Sequence, residues 1–220
     1  MRIVIAGGHG KIARILERLL SERGDSVAGL IRNPGQVAAL EAVGAEAVVV
    51  DLEKASVAEV AEHVRGADAV VFAAGAGPGS GAARKETVDR DAAILLADAA
   101  LDAGVRRYLM VSAMGADRLA DAAASDAVFA AYLRAKAAAD KAVLARTGLD
   151  ATIVRPGLLT DEAGTGKVTI ASETGRGSIP RQDVAAVLVA LLDAPETGGQ
   201  TFELISGDTP IPDAVAALVR

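Results

Sequence analysis

Short apolar runs alternate with longer amphipathic ones over the first two-thirds of the chain. Residues 2–6, 26–31, 45–50, 67–74, 107–112 and 151–155 are rich in Val, Ile and Leu and show no clean period of two. Such runs are expected of strands buried on both faces of a parallel sheet. Between them, Ile12, Ile15, Leu16, Leu19 and Leu20 recur at spacings of three and four, which predicts a helix with one apolar stripe. Val57, Val60, Ala61 and Val64 repeat the pattern. Residues 86–103 and 127–146 are alanine-rich and predict two long helices able to pack close to a sheet. Strand–helix alternation of this kind predicts an α/β fold: a doubly wound, mostly parallel sheet with helices on both faces.

Beyond Arg155 the pattern weakens. Residues 161–177 are rich in Gly, Thr and Glu, with a short strand expected at 167–171. A helix is expected at 181–192, a strand at 200–205 and a terminal helix at 212–219. This tail is too small for an independent unit. The reading is a single domain over 1–220, in which 1–155 forms the core and 156–220 is a small extension that completes the sheet and covers a substrate pocket.

Composition narrows the function classes. The 220 residues are 51% hydrophobic and 24% charged, with a formal net charge of −6, which suits a globular chain and not a disordered one. The acidic balance and the three Phe and two Tyr disfavour a nucleic-acid partner, which asks for basic surface and stacking platforms. With no Cys and only His9 and His63, no metal site is expected. No long uncharged stretch suggests a membrane span, and the opening MRIVIAGG reads as a strand and not as a secretory leader. A cytoplasmic location is the expectation.

The sharpest local signal follows the first strand: Gly7-Gly8-His9-Gly10-Lys11-Ile12-Ala13. Gly7 permits a tight turn, Gly10 clears space for a ligand phosphate, and Ala13 lets the helix press on the sheet. The helix start offers unpaired N–H groups to a pyrophosphate. Gly7, His9, Gly10, Lys11 and Ile12 are therefore the expected dinucleotide cradle, with His9 read as a turn residue and not a catalyst. The second strand ends in Arg32, where an NAD-preferring site usually carries an acid about 20 residues past the glycines. A guanidinium suits a 2′-phosphate, so NADP(H) is favoured over NAD(H), the alternative being a solvated loop arginine. Asp51 and Leu52 either flank the adenine or start the next helix. Ala73, Ala74 and Gly75 would let the fourth strand run against the cofactor.

Tyr132 and Lys136, four apart on a helix, share a face. An ammonium beside a phenol favours the phenolate, and the same ammonium could hold the nicotinamide ribose. The bland alternative is a surface lysine beside a core tyrosine. Ser112 ends the fifth strand, where ligands sit in open α/β sheets, and its hydroxyl could hold a substrate carbonyl or merely satisfy a turn.

With these residues in place, the chain resembles the short-chain dehydrogenase/reductase superfamily. It is most similar to the atypical NAD(P)-binding branch that includes NmrA-like and NAD-dependent epimerase/dehydratase-like proteins, all built on the Rossmann fold. Gly7-x-x-Gly10-x-x-Ala13, Arg32, Ser112, Tyr132-x-x-x-Lys136, Val154-Arg155-Pro156-Gly157 and Ile179-Pro180-Arg181-Gln182-Asp183-Val184 carry the likeness. The resemblance implies that Tyr132 is the general acid/base, Lys136 its partner and Ser112 the carbonyl holder. It also implies that Pro156, Gly157 and Leu158 line the nicotinamide. Asp89 stands where the superfamily has a catalytic Asn.

The function expected from this reading is NADP(H)-dependent hydride transfer to a small carbonyl, quinone or flavin substrate. Two alternatives stay open: a non-catalytic NADP(H) sensor of the NmrA-like kind, or a sugar epimerase/dehydratase, which the short tail disfavours. A homodimer is compatible with the family.

Overall fold

The computed structural model describes residues 1–77, 79–118 and 127–219. Nine strands form one sheet in the order β11-β8-β10-β6-β5-β4-β1-β2-β3. Six of the nine are β1 (Arg2–Ala6), β2 (Ser26–Ile31), β3 (Glu46–Val49), β4 (Ala69–Phe72), β5 (Arg107–Val111) and β6 (Asp150–Pro156). These six pair in parallel in the order 3-2-1-4-5-6 reversed about β1, the doubly wound arrangement. The tail extends the sheet as expected: β10 (Thr201–Ser206) pairs in parallel with β6, while β8 (Lys167–Ala171) and β11 (Thr209–Pro210) run antiparallel.

Each central strand feeds two cores by alternation. Ile3, Ile5, Val71 and Leu109 face one layer, and Val4, Val70, Phe72, Tyr108 and Met110 face the other. The first layer is covered by α1 (Lys11–Arg23), α7 (Arg181–Leu192) and α8 (Ile211–Ala216). The second is covered by α3 (Val57–Val64), α5 (Ala92–Asp102) and α6 (Ala127–Leu144), whose alanines let the backbones approach. Among the described residues no helix is long and apolar enough to cross a membrane.

Several elements differ from expectation. The helix expected over 86–103 begins as α4 (Ala82–Arg84), widens into π-helical turns over Lys85–Asp91 and only then becomes α5. Short pieces that carry too few residues to show a period also appear: α2 (Val37–Glu41), and β7 (Leu158–Thr160) paired in a separate ribbon with β9 (Ser178–Pro180). Far from the carboxyl ends of the strands, Arg107 is buried and ties three elements together. Its guanidinium donates to the Asp150, Leu191 and Ala194 carbonyls and to the hydroxyls of Thr152 and Thr197.

Candidate functional site

The turn between β1 and α1 is built as its sequence demands. Gly7 has φ +81°, and a Cβ on it would lie 2.6 Å from the Ala74 Cα. Both the conformation and the space require glycine. At Gly10 a Cβ would come 3.0 Å from the Gly7 carbonyl oxygen. Gly10 is also the N-cap of α1 and brings no side chain to it, and the first turn holds no acid. The amide end of α1 is therefore left to a ligand, with its partial positive charge facing outward. A cavity of about 230 Å³ opens there, lined by Gly7, His9, Gly10, Arg32 and Gln36, with Ala73, Ala74 and Gly75 as floor. These features fit a dinucleotide: a glycine cradle, an uncapped helix start and a floor of small residues.

The same floor continues into a cleft of about 460 Å³, a size suited to a small molecule. Asp89, Ser112, Tyr132 and Lys136 meet in it, as do Ser80 and Lys85. Ile12, Val128, Phe129 and Leu159 supply apolar wall. Lys136 is 3% exposed, and its ammonium is 3.4 Å from Asp89 Oδ1 and 3.1 Å from the Val111 carbonyl. It also reaches the Ala74 carbonyl at 3.5 Å, so it joins the ends of β4 and β5. Asp89 is fully buried, and its other oxygen accepts from the Ala76 amide. Asp140, one turn beyond Lys136 on α6, is buried beside Ser112 and is held by Arg155 at 2.9 Å.

These charges act on Tyr132 in a direction opposite to the one its spacing from Lys136 suggests. Burial raises the phenol above its ordinary range, and the carboxylates of Asp89 and Asp140 raise it further. The Lys136 ammonium is drawn to Asp89 and lies 5.9 Å from the Tyr132 ring centre. Burial lowers Lys136 itself, against the pull of Asp89 and Asp140. Burial likewise raises Asp140, opposed by the Ser112 hydroxyl and Arg155. Burial and the two carboxylates therefore favour the neutral phenol of Tyr132 over its phenolate.

Other expected site residues stand apart. Lys11 points away to Asp161, which also binds Arg181. Arg32 lines the nucleotide cavity, but its guanidinium is held by Glu53 at 2.6 Å. Glu53 also takes Arg84 at 2.8 Å and the Thr87 hydroxyl at 2.7 Å, which keep its carboxyl well ionised. Asp51 and Leu52 follow the end of β3 and line neither cavity; Asp51 accepts from the Glu53 amide, and Ser56, not Asp51, caps α3. Pro156 and Gly157 are packed into the sheet, where a Cβ on Gly157 would meet the Gly177 carbonyl at 2.3 Å. Leu158 is 74% exposed, and the neighbouring Leu159 lines the cleft in its place. The alternation of a strand turned this pair by one residue.

Four participants escape the motif reading. Lys85 lies four before Asp89, and Asp140 four after Lys136, so helical spacing from known members was the available signal. Glu17 lies on the apolar stripe of α1 with Leu16 and Leu20, fully buried beneath the glycine turn. Cβ atoms on Gly8 and Gly29 would lie 2.8 Å and 2.5 Å from its carboxyl. Arg84 is brought to Glu53 only by the fold.

The family described as NAD(P)H-binding matches residues 7–195. The chain belongs to the NAD(P)H-binding family. The chain is 40% identical over 219 residues to the uncharacterized sugar epimerase YhfK of Bacillus subtilis, covering 99% of this chain and 100% of that protein. A Bacillus halodurans structure with a provisional NAD-dependent epimerase/dehydratase name superposes with a TM-score of 0.90 at 38% identity, covering 99% of both chains. The oxidoreductase ylbE of Lactococcus lactis superposes with a TM-score of 0.86 at 29% identity, covering 100% of this chain and 97% of that one. The NAD(P)H-binding assignment accounts for the glycine turn and the sheet order together, and the atypical short-chain dehydrogenase/reductase branch fits it.

Proposed function

We propose that this NAD(P)H-binding chain is an NADP(H)-dependent reductase of a small carbonyl-type substrate, with Tyr132 as proton donor. The observation that carries the reading is that Tyr132, whose neutral phenol burial favours, lines a cleft that shares its floor, Ala73–Gly75, with the nucleotide cavity. Gly7, Gly10 and the start of α1 would hold the pyrophosphate, and Arg32 the 2′-phosphate. When bound, the reduced nicotinamide supplies a hydride. Ser112 would donate a hydrogen bond to the substrate oxygen, and Tyr132 would transfer its proton to that oxygen as negative charge develops there. Lys136, held between Asp89 and two strand-end carbonyls, would fix the position of the α6 face that presents Tyr132.

NADPH and NADH titrations, followed by NADPH oxidation over ketones, aldehydes, quinones and flavins, test this reading. We expect tighter NADPH binding and turnover that Tyr132→Phe cuts by about 10²-fold or more. Binding of neither nucleotide, or full turnover in Tyr132→Phe, would overturn it. The Lys136–Asp89 pair favours one second reading, a non-catalytic NADP(H) sensor, because it spends the ammonium on structure. Nucleotide binding with no turnover across the panel would select that reading. Turnover of a sugar without net NADPH consumption would select an epimerase, as the name of the Bacillus subtilis relative suggests.

A further inference from the structure

Lys85 is 9% exposed and lines the cleft, yet among the described residues it forms no ion pair. Its ammonium donates to the Gly77 carbonyl at 2.9 Å and lies 5.3 Å from the centre of the Tyr132 ring. The other deeply buried side-chain ammonium, Lys136, has Asp89, and the guanidinium of Arg118 reaches the buried Glu203. Arg107, which lacks a carboxylate partner, has five oxygen acceptors instead. Lys85 has one carbonyl and the face of a ring.

An ammonium carries three donors, and withdrawing its charge from water is costly unless it is paired. The carboxylate four residues along its own helix, Asp89, is already engaged by Lys136 and the Ala76 amide, and the adjacent Glu86 faces Arg90. The π-helical turns over Lys85–Asp91 nevertheless aim both residues at the cleft, and wide turns of this kind recur at functional sites. Among the described residues, Ile12, Val128, Phe129 and Leu159 give the cleft an apolar side that carries no charge.

We propose that Lys85 receives the carboxylate of the substrate, which makes the substrate class an oxo acid with an apolar body. A singly charged carboxylate matches a single ammonium. A doubly charged phosphate would be left with one charge unmatched by a single ammonium, and Asp89 and Asp140 would repel it more strongly than a singly charged group. The carboxylate would lie beside Tyr132, with the apolar body against Phe129 and Leu159. The reduction chemistry rests on the function proposed above, but the anion preference does not.

Benzoylformate and its methyl ester differ in that one charge. Their affinities are measured by calorimetry for the wild-type chain and for Lys85→Met and Lys85→Arg, each with and without saturating NADP⁺. We expect the acid to bind the wild type at least about tenfold more tightly than the ester, as for a desolvated charge-assisted bond. The preference should vanish in Lys85→Met and survive in Lys85→Arg, which keeps the charge and reports on folding. Equal affinities, binding of neither probe, or a preference that persists in Lys85→Met overturns the proposal. So does a tenfold loss of NADP⁺ affinity in Lys85→Met, which would assign Lys85 to the nucleotide. A wild type that takes up no NADP⁺ but keeps the Lys85-dependent preference would overturn the nucleotide reading and leave this one standing.

Discussion

The Asp89 carboxylate stands 3.4 Å from the Lys136 ammonium, and both groups are buried. The pair sets the charge around Tyr132, because Asp89 raises the phenol and holds the one ammonium that shares its helix face. Replacing Asp89 by Asn keeps the shape and removes the charge. The Tyr132 phenolate should then appear at lower pH, as followed by its ultraviolet absorbance with Tyr132→Phe as the assignment. The same change leaves the buried Lys136 with only the more distant Asp140 as a countercharge and should cost about 3 kcal/mol in urea unfolding. An unmoved phenolate titration would show that Asp89 does not govern Tyr132.

Arg32 is half-exposed and shares Glu53 with Arg84, so a 2′-phosphate competes with a carboxylate already in place. Glu53→Gln should tighten NADPH by a few-fold, the scale of about 1 kcal/mol expected of a partly exposed pair, and leave NADH unchanged. Arg32→Ala should erase the preference for NADPH. Fluorescence titration of both nucleotides measures it, and parallel gains for NADPH and NADH would contradict it.

Glu17 gives the stability a pH dependence. Burial raises its carboxyl from 4.5 to about 8, against a weaker opposing pull from Arg14. The folded chain therefore keeps a proton that the unfolded chain releases. The stability this represents is whole below about pH 4.5 and drains as pH rises to about 8, by at most ~1.4 kcal/mol per pH unit. Glu17→Gln should flatten the profile and stabilise the protein at pH 8. Urea midpoints at pH 5 and pH 8 check this, and an equally sloped profile in the variant would exclude Glu17 as the cause.

Arg107 serves the fold alone. Burial lowers it to about 10, still charged at neutral pH, and its partners join β5, β6 and the end of α7. Arg107→Met should cost about 3 kcal/mol by stranding those acceptors, while nucleotide affinity stays unchanged in whatever fraction folds. Calorimetric unfolding with a parallel NADPH titration separates the two effects.

The central strands were legible because burial on both faces leaves an apolar run, and β1, β2, β8 and α7 fall at the residues expected. Tyr132, Lys136 and Ser112 were legible because each stands at a strand end or at helical spacing, Asp89 was legible only through the family resemblance, and the cleft brings the four together. The π-helical turns were not, since a wider turn shifts side-chain direction without changing composition. Nor was the pairing of Arg84 with Glu53, 31 residues apart and joined only by the sheet order. The resemblance pointed to Leu158, whereas Leu159 lines the cleft, because adjacent residues in an extended segment face opposite sides.

Asp161 bridges Lys11, at the head of α1, to Arg181, at the head of α7. An anion arriving at that corner therefore trades places with a resident carboxylate and meets no bare charge. Charges neutralised in this way give little long-range pull on an approaching anion. The displaced carboxylate directly follows β7, the strand that carries Leu159, so the exchange takes place one residue beyond a strand that lines the cleft.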